Sequence, residues 1–223
     1  MFRTKATTAL LITALHGLSS CHEEPPPETR LLVVDGITIG LAELDPYLKF
    51  LDGYIPEGGR KAKILRILEE HLLPLRLAQR AFPAERGKQL ELAKALRSVA
   101  TNLEELENKT QSMPDVKRSR VTRGQAKLPV AMFLFDPLLT GSVSQPIEMP
   151  FGYVLAACSA INEHATTVGD YAEATVVAFA THDNAAWLGW LHAEETRIAN
   201  KVTFVHPDFR EALPNWLVLP KLP

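Results

Sequence analysis

Cysteine is nearly missing from this chain: two in 223 residues, too few for a disulfide framework. No apolar run reaches the about 18 residues that suggest a membrane-crossing helix, so no spanning segment is expected in the mature chain. An excess of either charge is also lacking. Twenty-four Lys and Arg stand against 26 Asp and Glu, and without a positive field to collect phosphates a dedicated nucleic-acid binder is excluded. His164, His182, His192 and His206 have no metal-ligand spacing, HExxH and CxxC are absent, and no glycine-rich phosphate loop is present. Ser142 and Ser144 lie in no Gly-x-Ser-x-Gly elbow. Asp183 next to His182 reads as a helix cap, and Cys158 inside an apolar run reads as an inert buried thiol. No cofactor, metal site or catalytic residue is therefore assigned.

What is present is an ordinary globular composition, 46% hydrophobic and 22% charged, of a length that suits one or two domains. Arg3 and Lys5 precede the mostly apolar Ala6–Leu18, the make-up of a secretory signal. Its end, Leu18-Ser19-Ser20-Cys21, resembles the lipobox of bacterial lipoproteins. That resemblance implies cleavage before Cys21, a diacylglycerol on its thiol, and a chain held at a membrane of the cell envelope. The alternative is an ordinary secretory signal that happens to precede a Cys. In enterobacterial lipoproteins His22, standing where Asp would retain the protein, favours the outer membrane. His22–Arg30 (HEEPPPETR) has no side chains to bury and three prolines that favour an extended spacer.

The rest of the chain alternates helix and strand signals. Leu31–Ile39 reads as a hairpin turning at Asp35-Gly36. Asp45 as N-cap with Pro46 behind it starts a helix that Gly53 ends. Residues 60–108 read as two helices. The first carries Ile64, Leu65, Leu68, Leu72 and Leu75 at helical spacing and should kink or split at Pro74. The second carries a stripe of Leu92, Leu96, Val99, Leu103 and Leu106, read as packing on the chain's own core. Asn108–Lys127, with Lys117, Arg118, Arg120, Arg123 and Lys127, reads as a solvated basic loop; binding of anionic headgroups is the other reading. Pro129–Leu139 is a short buried helix stopping at Asp136-Pro137. Asp170–Thr181 is helix or strand, Asp183 caps a helix running to Asn200, and Lys201–Val205 is a last strand. The tail from Pro214 reads as extended.

Gly141–Leu155 (GSVSQPIEMPFGYVL) reads as turn, short strand, turn and the start of a core strand, Tyr153–Ile161. Gly-x-Val-Ser-x-Pro-Ile followed by Pro-Phe-Gly-Tyr resembles the C-terminal part of a parvulin-type (PpiC) peptidyl-prolyl isomerase domain. The resemblance implies a proline-binding groove with Met132, Phe133, Phe151 and Tyr153 as substrate-binding side chains. Val154 stands where that family carries His, and the family's early His-Ile-Leu-Val strand and most of its glycine-rich turn are absent. Isomerase activity is therefore expected to be weak or missing.

The order Asp-Gly, Ile-Thr, Glu-Leu, helix resembles the start of SurA-like and PrsA-like extracytoplasmic chaperones, which implies Val202–Val205 beside Leu31–Val34. The expected fold is α+β. Its parts are a signal peptide over 1–20, a lipid-anchored tether over 21–30, a strand and helical chaperone-like region over 31–108, a degenerate parvulin-like module over 109–165, and a C-terminal helix and strand over 166–223. The expected function is a lipid-anchored extracytoplasmic folding factor whose partners are unfolded or nascent envelope proteins. The alternative is a structural or adaptor lipoprotein; no oligomeric state is assigned.

Overall fold

The computed structural model describes residues 29–113, 116–164 and 169–220. The signal segment, the Cys21 anchor and nearly all of the tether lie outside the described residues. Among the described residues no helix is long and apolar enough to cross a membrane.

The architecture is α+β, built on two antiparallel sheets. Strand β1 (Arg30–Val34) and β2 (Ile37–Gly40) form the expected hairpin. Asp35 at φ 50° and Gly36 at φ 77° give the two successive positive angles of a tight turn matched to strand twist. Strand β7 (Val202–Val205) pairs with the other edge of β1, Leu32 opposite Val205 and Val33 opposite Phe204, so the first and last strands lie side by side. The hairpin turn is fastened by charge: the Asp35 carboxylate accepts from Arg80 at 2.8 Å and Arg197 at 2.7 Å, with Lys201 at 3.3 Å. Those hydrogen bonds, from Arg197 foremost, hold its carboxyl well below the usual carboxylate range.

Helices α1 (Asp45–Tyr54), α2 (Arg60–Ile67) and α3 (Leu73–Ala81) cover this three-stranded sheet, burying Leu48, Leu51, Ile64, Ile67, Leu68 and Leu77 against Leu31, Leu32 and Ile39. Asp45 is not the cap: it is the first helical residue, its side chain caps nothing, and the helix runs one residue past Gly53. Between α2 and α3 the chain stays helical but widens over Leu68–Leu72, where the Leu73 N–H reaches back to the Leu68 carbonyl. Pro74, which has no N–H to give, follows directly; the widened turn absorbs it without splitting the helix.

The second sheet runs β3-β6-β5-β4, with β3 at Val116–Thr122, β4 at Ile147–Met149, β5 at Gly152–Asn162 and β6 at Tyr171–Ala180. The open choice at 170–181 is thus strand. Over Val116–Thr122 the basic segment is corrected from loop to edge strand, and its three arginines have partners. Arg118 donates to the Glu107 carbonyl, Arg120 stacks on Tyr171, and Arg123 pairs with Asp170 at 3.2 Å and lies over Phe135.

One sheet face carries α6 (Leu128–Leu134), which buries Ala131, Leu134 and Phe135 against Val154, Ala156 and Cys158. The other carries α4 (Pro83–Val99) and α5 (Leu103–Lys109), with Ala93, Ala100 and Leu106 against Leu155, Ala157 and Val177. The expected boundaries at 108 and 165 therefore cross this unit, which draws two helices from before residue 109 and β6 from after 165. Helix α7 (Asn184–Ile198), capped by Asp183 as expected, leads to β7. The tail returns Leu213 and Leu217 to the first core.

The 92–106 stripe does not form one core-facing helix. Asn102 caps a new helix through the Glu105 N–H, and Leu92 and Val99 are 56% and 54% exposed. The face on the sheet uses alanines, whose small side chains let α4 come close.

Gly152 sits at φ 147°, where an added Cβ would meet the Phe179 carbonyl oxygen at 2.1 Å. Gly152→Ala is expected to destabilise the fold by about 3 kcal/mol or more, because the obstacle is sheet backbone that cannot yield. Gly141→Ala, at φ 83° but in open space, should cost only about 1–2 kcal/mol. Equal urea midpoints for the two variants would refute this reading.

Candidate functional site

A groove of about 910 Å³ lies beside the second sheet. Its floor is the end of β6, Ala178–Ala180, together with Phe151 from the β4–β5 turn. One wall is α4, through Gln89, Leu92 and Leu96; the other is the first turns of α7, through Asn184 and Trp187. Met113 and Lys117 close the end nearest β3. Local sequence explains the walls. Pro83 restarts the helix after α3, and Phe82 at that corner packs on His182 and Trp190 with ring centroids 4.4 and 4.6 Å apart. That packing sets the first turns of α7 across from α4, where Trp187 stands against Trp190. Trp187 and Phe179 are buried in the wall, while Leu92 and Met113 stand out at the lip. The channel is apolar, with Gln89, Lys117, His182 and Asp183 among its lining residues, the make-up of a surface that apolar groups can cover by leaving water. It offers no arrangement of nucleophile and base.

Below the β4–β5 turn lies a buried polar junction. Arg86 of α4, 3% exposed, donates to the Pro150 carbonyl at 2.7 Å, the Met149 carbonyl at 3.0 Å and Glu148 Oε1 at 2.9 Å. The same oxygen accepts from Gln79 at 3.0 Å and from the Tyr153 hydroxyl at 3.4 Å, and Arg86 lies over the Tyr153 ring. Burial pushes the Glu148 carboxyl up, but the bonds from Gln79 and Arg86 and the Arg86 charge win, leaving it below its usual value. Burial pushes the Tyr153 phenol up, and the Glu148 charge adds to that. Nearby, His71 on the widened turn binds the Tyr47 hydroxyl through Nε2 at 2.7 Å, and its Nδ1 has no hydrogen-bond partner. Burial holds the imidazole down at about 4.

The four predicted groove residues do not share one pocket. Phe151 lines the groove; Met132 lines a separate cleft of about 380 Å³ with Phe50, Arg123 and Phe135. Phe133 packs on the α6 core, and Tyr153 belongs to the Arg86 junction. Val154 is 2% exposed in the α6 core, far from solvent. Cys158 is buried, and burial pushes its thiol up. Sequence reasoning missed Arg86, because nothing local marks a buried arginine, and Trp187 as a groove wall. It had Leu92 in hand but assigned it to the core. Comparison of the chain with protein-family models, with curated proteins and with solved structures found no match.

Two outcomes follow from the junction. Arg86→Met should lower stability by about 3 kcal/mol, since it strands two buried carbonyls and a half-buried carboxylate; a change below about 1 kcal/mol in urea unfolding would contradict the clamp. His71 titrates near 4 in the fold against 6.5 in an unfolded chain. The unfolded state thus binds more protons across that window, and stability falls as pH drops through it. The loss should be about 2 kcal/mol near pH 4.5. His71→Gln should flatten that part of the stability profile, and an unchanged slope in thermal melts would exclude His71 as the cause.

Proposed function

We propose that this protein is a lipid-anchored extracytoplasmic folding factor that holds unfolded or proline-containing segments, with weak or absent peptidyl-prolyl isomerase activity. The single observation that carries the reading is the exposed apolar groove between α4 and α7, lined by Leu92, Leu96, Met113, Phe151, Phe179 and Trp187. Side chains of that size standing at a groove lip are what a client-binding protein needs and what a plain adaptor would bury. The envelope location rests on the signal segment and the lipobox-like Leu18–Cys21, with Cys21 as the lipidated residue and the outer membrane favoured by His22. The parvulin and SurA-like resemblance is supported by the pairing of the first and last strands and by a helix-covered antiparallel sheet that holds Gly141–Leu155. Weak catalysis follows from Val154, whose buried aliphatic side chain replaces the family's polar group.

The test measures two activities of the purified protein together. It should suppress aggregation of an unfolded model protein, and Leu92→Glu should abolish that suppression by placing a charge at the lip. Turnover of X-Pro peptides in a protease-coupled assay should stay near background. Robust turnover that falls in Phe151→Ala would overturn the view of weak catalysis. Silence in both assays would leave the adaptor lipoprotein as the better description.

A further inference from the structure

The smaller cleft, of about 380 Å³, lies where α1 meets α6, separate from the groove between α4 and α7. Helix α1 lines it with Pro46, Lys49, Phe50 and Gly53, whose spacing of three and four puts them on one helix face. Met132 and Phe135 line the opposite side. Phe50 packs on both hydrophobic cores, so the cleft sits on the seam between the two sheet units. Two cations, Lys49 and Arg123, stand among these apolar side chains, and among the described residues no acid lines the cleft. Arg123 is held in place in advance. Its backbone N–H donates to the Asp170 carbonyl at 2.8 Å, and its guanidinium pairs with the buried Asp170 carboxylate at 3.2 Å and lies over the Phe135 ring. The next residue is pinned as well: the Gly124 carbonyl accepts from Arg66 at 3.4 Å, and Arg66 also donates to the Tyr54 hydroxyl of α1 at 2.9 Å. One carboxylate satisfies only part of a guanidinium, which carries five N–H groups. The Arg123 Nε–H, closed off from water, has no hydrogen-bond partner among the described residues. Lys49 is exposed and enters no ion pair among them.

We infer that this cleft binds a small aromatic carboxylate, its ring among Phe50, Met132 and Phe135 and its carboxylate between Lys49 and Arg123. Charge selects the anion. Asp170 balances Arg123, so Lys49 leaves the cleft with one positive charge in excess, which suits a monoanion better than a phosphate dianion. Shape selects the carboxylate. A guanidinium laid on an aromatic face presents its edge, where paired N–H groups match the two oxygens of a planar carboxylate. The apolar walls select the ring: it leaves water against two phenyl groups, and the Met132 thioether makes favourable contact with an aromatic edge. This chemistry is shared by a free arylalkanoic acid and by the last residue of a polypeptide that ends in Phe. The site stands on its own lining residues, whether or not the α4–α7 groove holds clients.

The probe is 3-phenylpropanoate, titrated against the full chain by isothermal calorimetry. Saturable binding is expected, about tenfold weaker in Lys49→Glu and at least as much weaker in Gly53→Phe. An added Cβ at Gly53 meets nothing within 4 Å, so the new phenyl group fills the cleft without displacing the core. Both positions are exposed, and circular dichroism should show both variants folded. Leu92→Glu, at the other groove, should bind like the parent. The alcohol 3-phenylpropan-1-ol has the same ring and no charge, and should bind about tenfold more weakly or worse; equal binding overturns recognition of the carboxylate. Tighter binding of phenyl phosphate overturns the choice of a monoanion. Absence of saturation up to about 10 mM, or binding indifferent to both Lys49→Glu and Gly53→Phe, overturns the site. A peptide ending in Phe, compared as free acid and as amide, names the source. Binding of the acid form at least as tight as the probe's supports a chain end as the ligand, and no binding of it supports a free acid.

Discussion

A guanidinium as buried as that of Arg86 has to be satisfied on nearly every side, because an unpaired charge in the interior is among the most costly groups a fold can hold. Arg86 meets that demand with two carbonyls and a carboxylate that all belong to β4 and its turn. The requirement runs both ways. Met149 and Pro150 present their carbonyls inward because the turn is drawn onto α4, and α4 holds its angle on the sheet because its cation has nowhere else to go. With α4 fixed, Ala93 and Ala100 come close to β5, and Leu92 is carried sideways to the groove lip rather than into the core. The same turn sets Phe151 into the groove floor, its carbonyl held by the Thr181 N–H and hydroxyl. One buried charge thus orients both a wall and the floor.

Asp35 plays a corresponding part in the first sheet, by a different balance. Its turn is forced by backbone geometry, and its carboxylate gathers Arg80 from α3, Arg197 from α7 and Lys201 from the approach to β7. Three cations from three segments on one exposed-side acid tie chain ends that are far apart in sequence. Such pairs are individually weak at a surface, and the network is what fixes the approach of the last strand.

What could be read in the sequence follows from how local the determining physics is. The Asp35-Gly36 hairpin, the Asp183 cap and the Tyr153–Ile161 core strand each depend on residues within a few positions, and each is where it was expected, whereas the helix expected to stop at Asp136-Pro137 already ends at Leu134 and Asp136 caps a separate short turn. The place of β7 beside β1 was expected from a family resemblance, not from local pattern. The errors have a common origin in tertiary context. The 92–106 stripe is sound as periodicity, but Thr101 and Asn102, both bonded to the start of a new helix, break it; Leu96, Leu103 and Leu106 still pack on the core together with Ala93 and Ala100, while Leu92 and Val99 turn out to solvent. Val116–Thr122 looks like a loop because an edge strand with four solvent-facing residues has little apolar signal to show. The groove was harder still. Of its predicted residues only Phe151 lines it, because a groove formed by the corner of one helix, the first turns of another and the end of a strand leaves no contiguous mark in sequence.

The groove lies where the end of β6 passes between two helices. Strand β6 continues to Ala180 to pair with Gly152, whereas the described pairing with β3 stops at Val177. Helices α4 and α7 flank that end of β6. They cannot close over it without giving up other contacts: α4 is held by Arg86, and α7 by Trp190, whose ring packs on Phe82 and on Trp187. The groove is therefore held open by buried interactions on both sides, with Leu92 and Met113 exposed at its lip. Apolar side chains kept exposed at the lip of a groove whose walls are both fixed from within form a surface that an apolar segment can cover without any rearrangement of the fold.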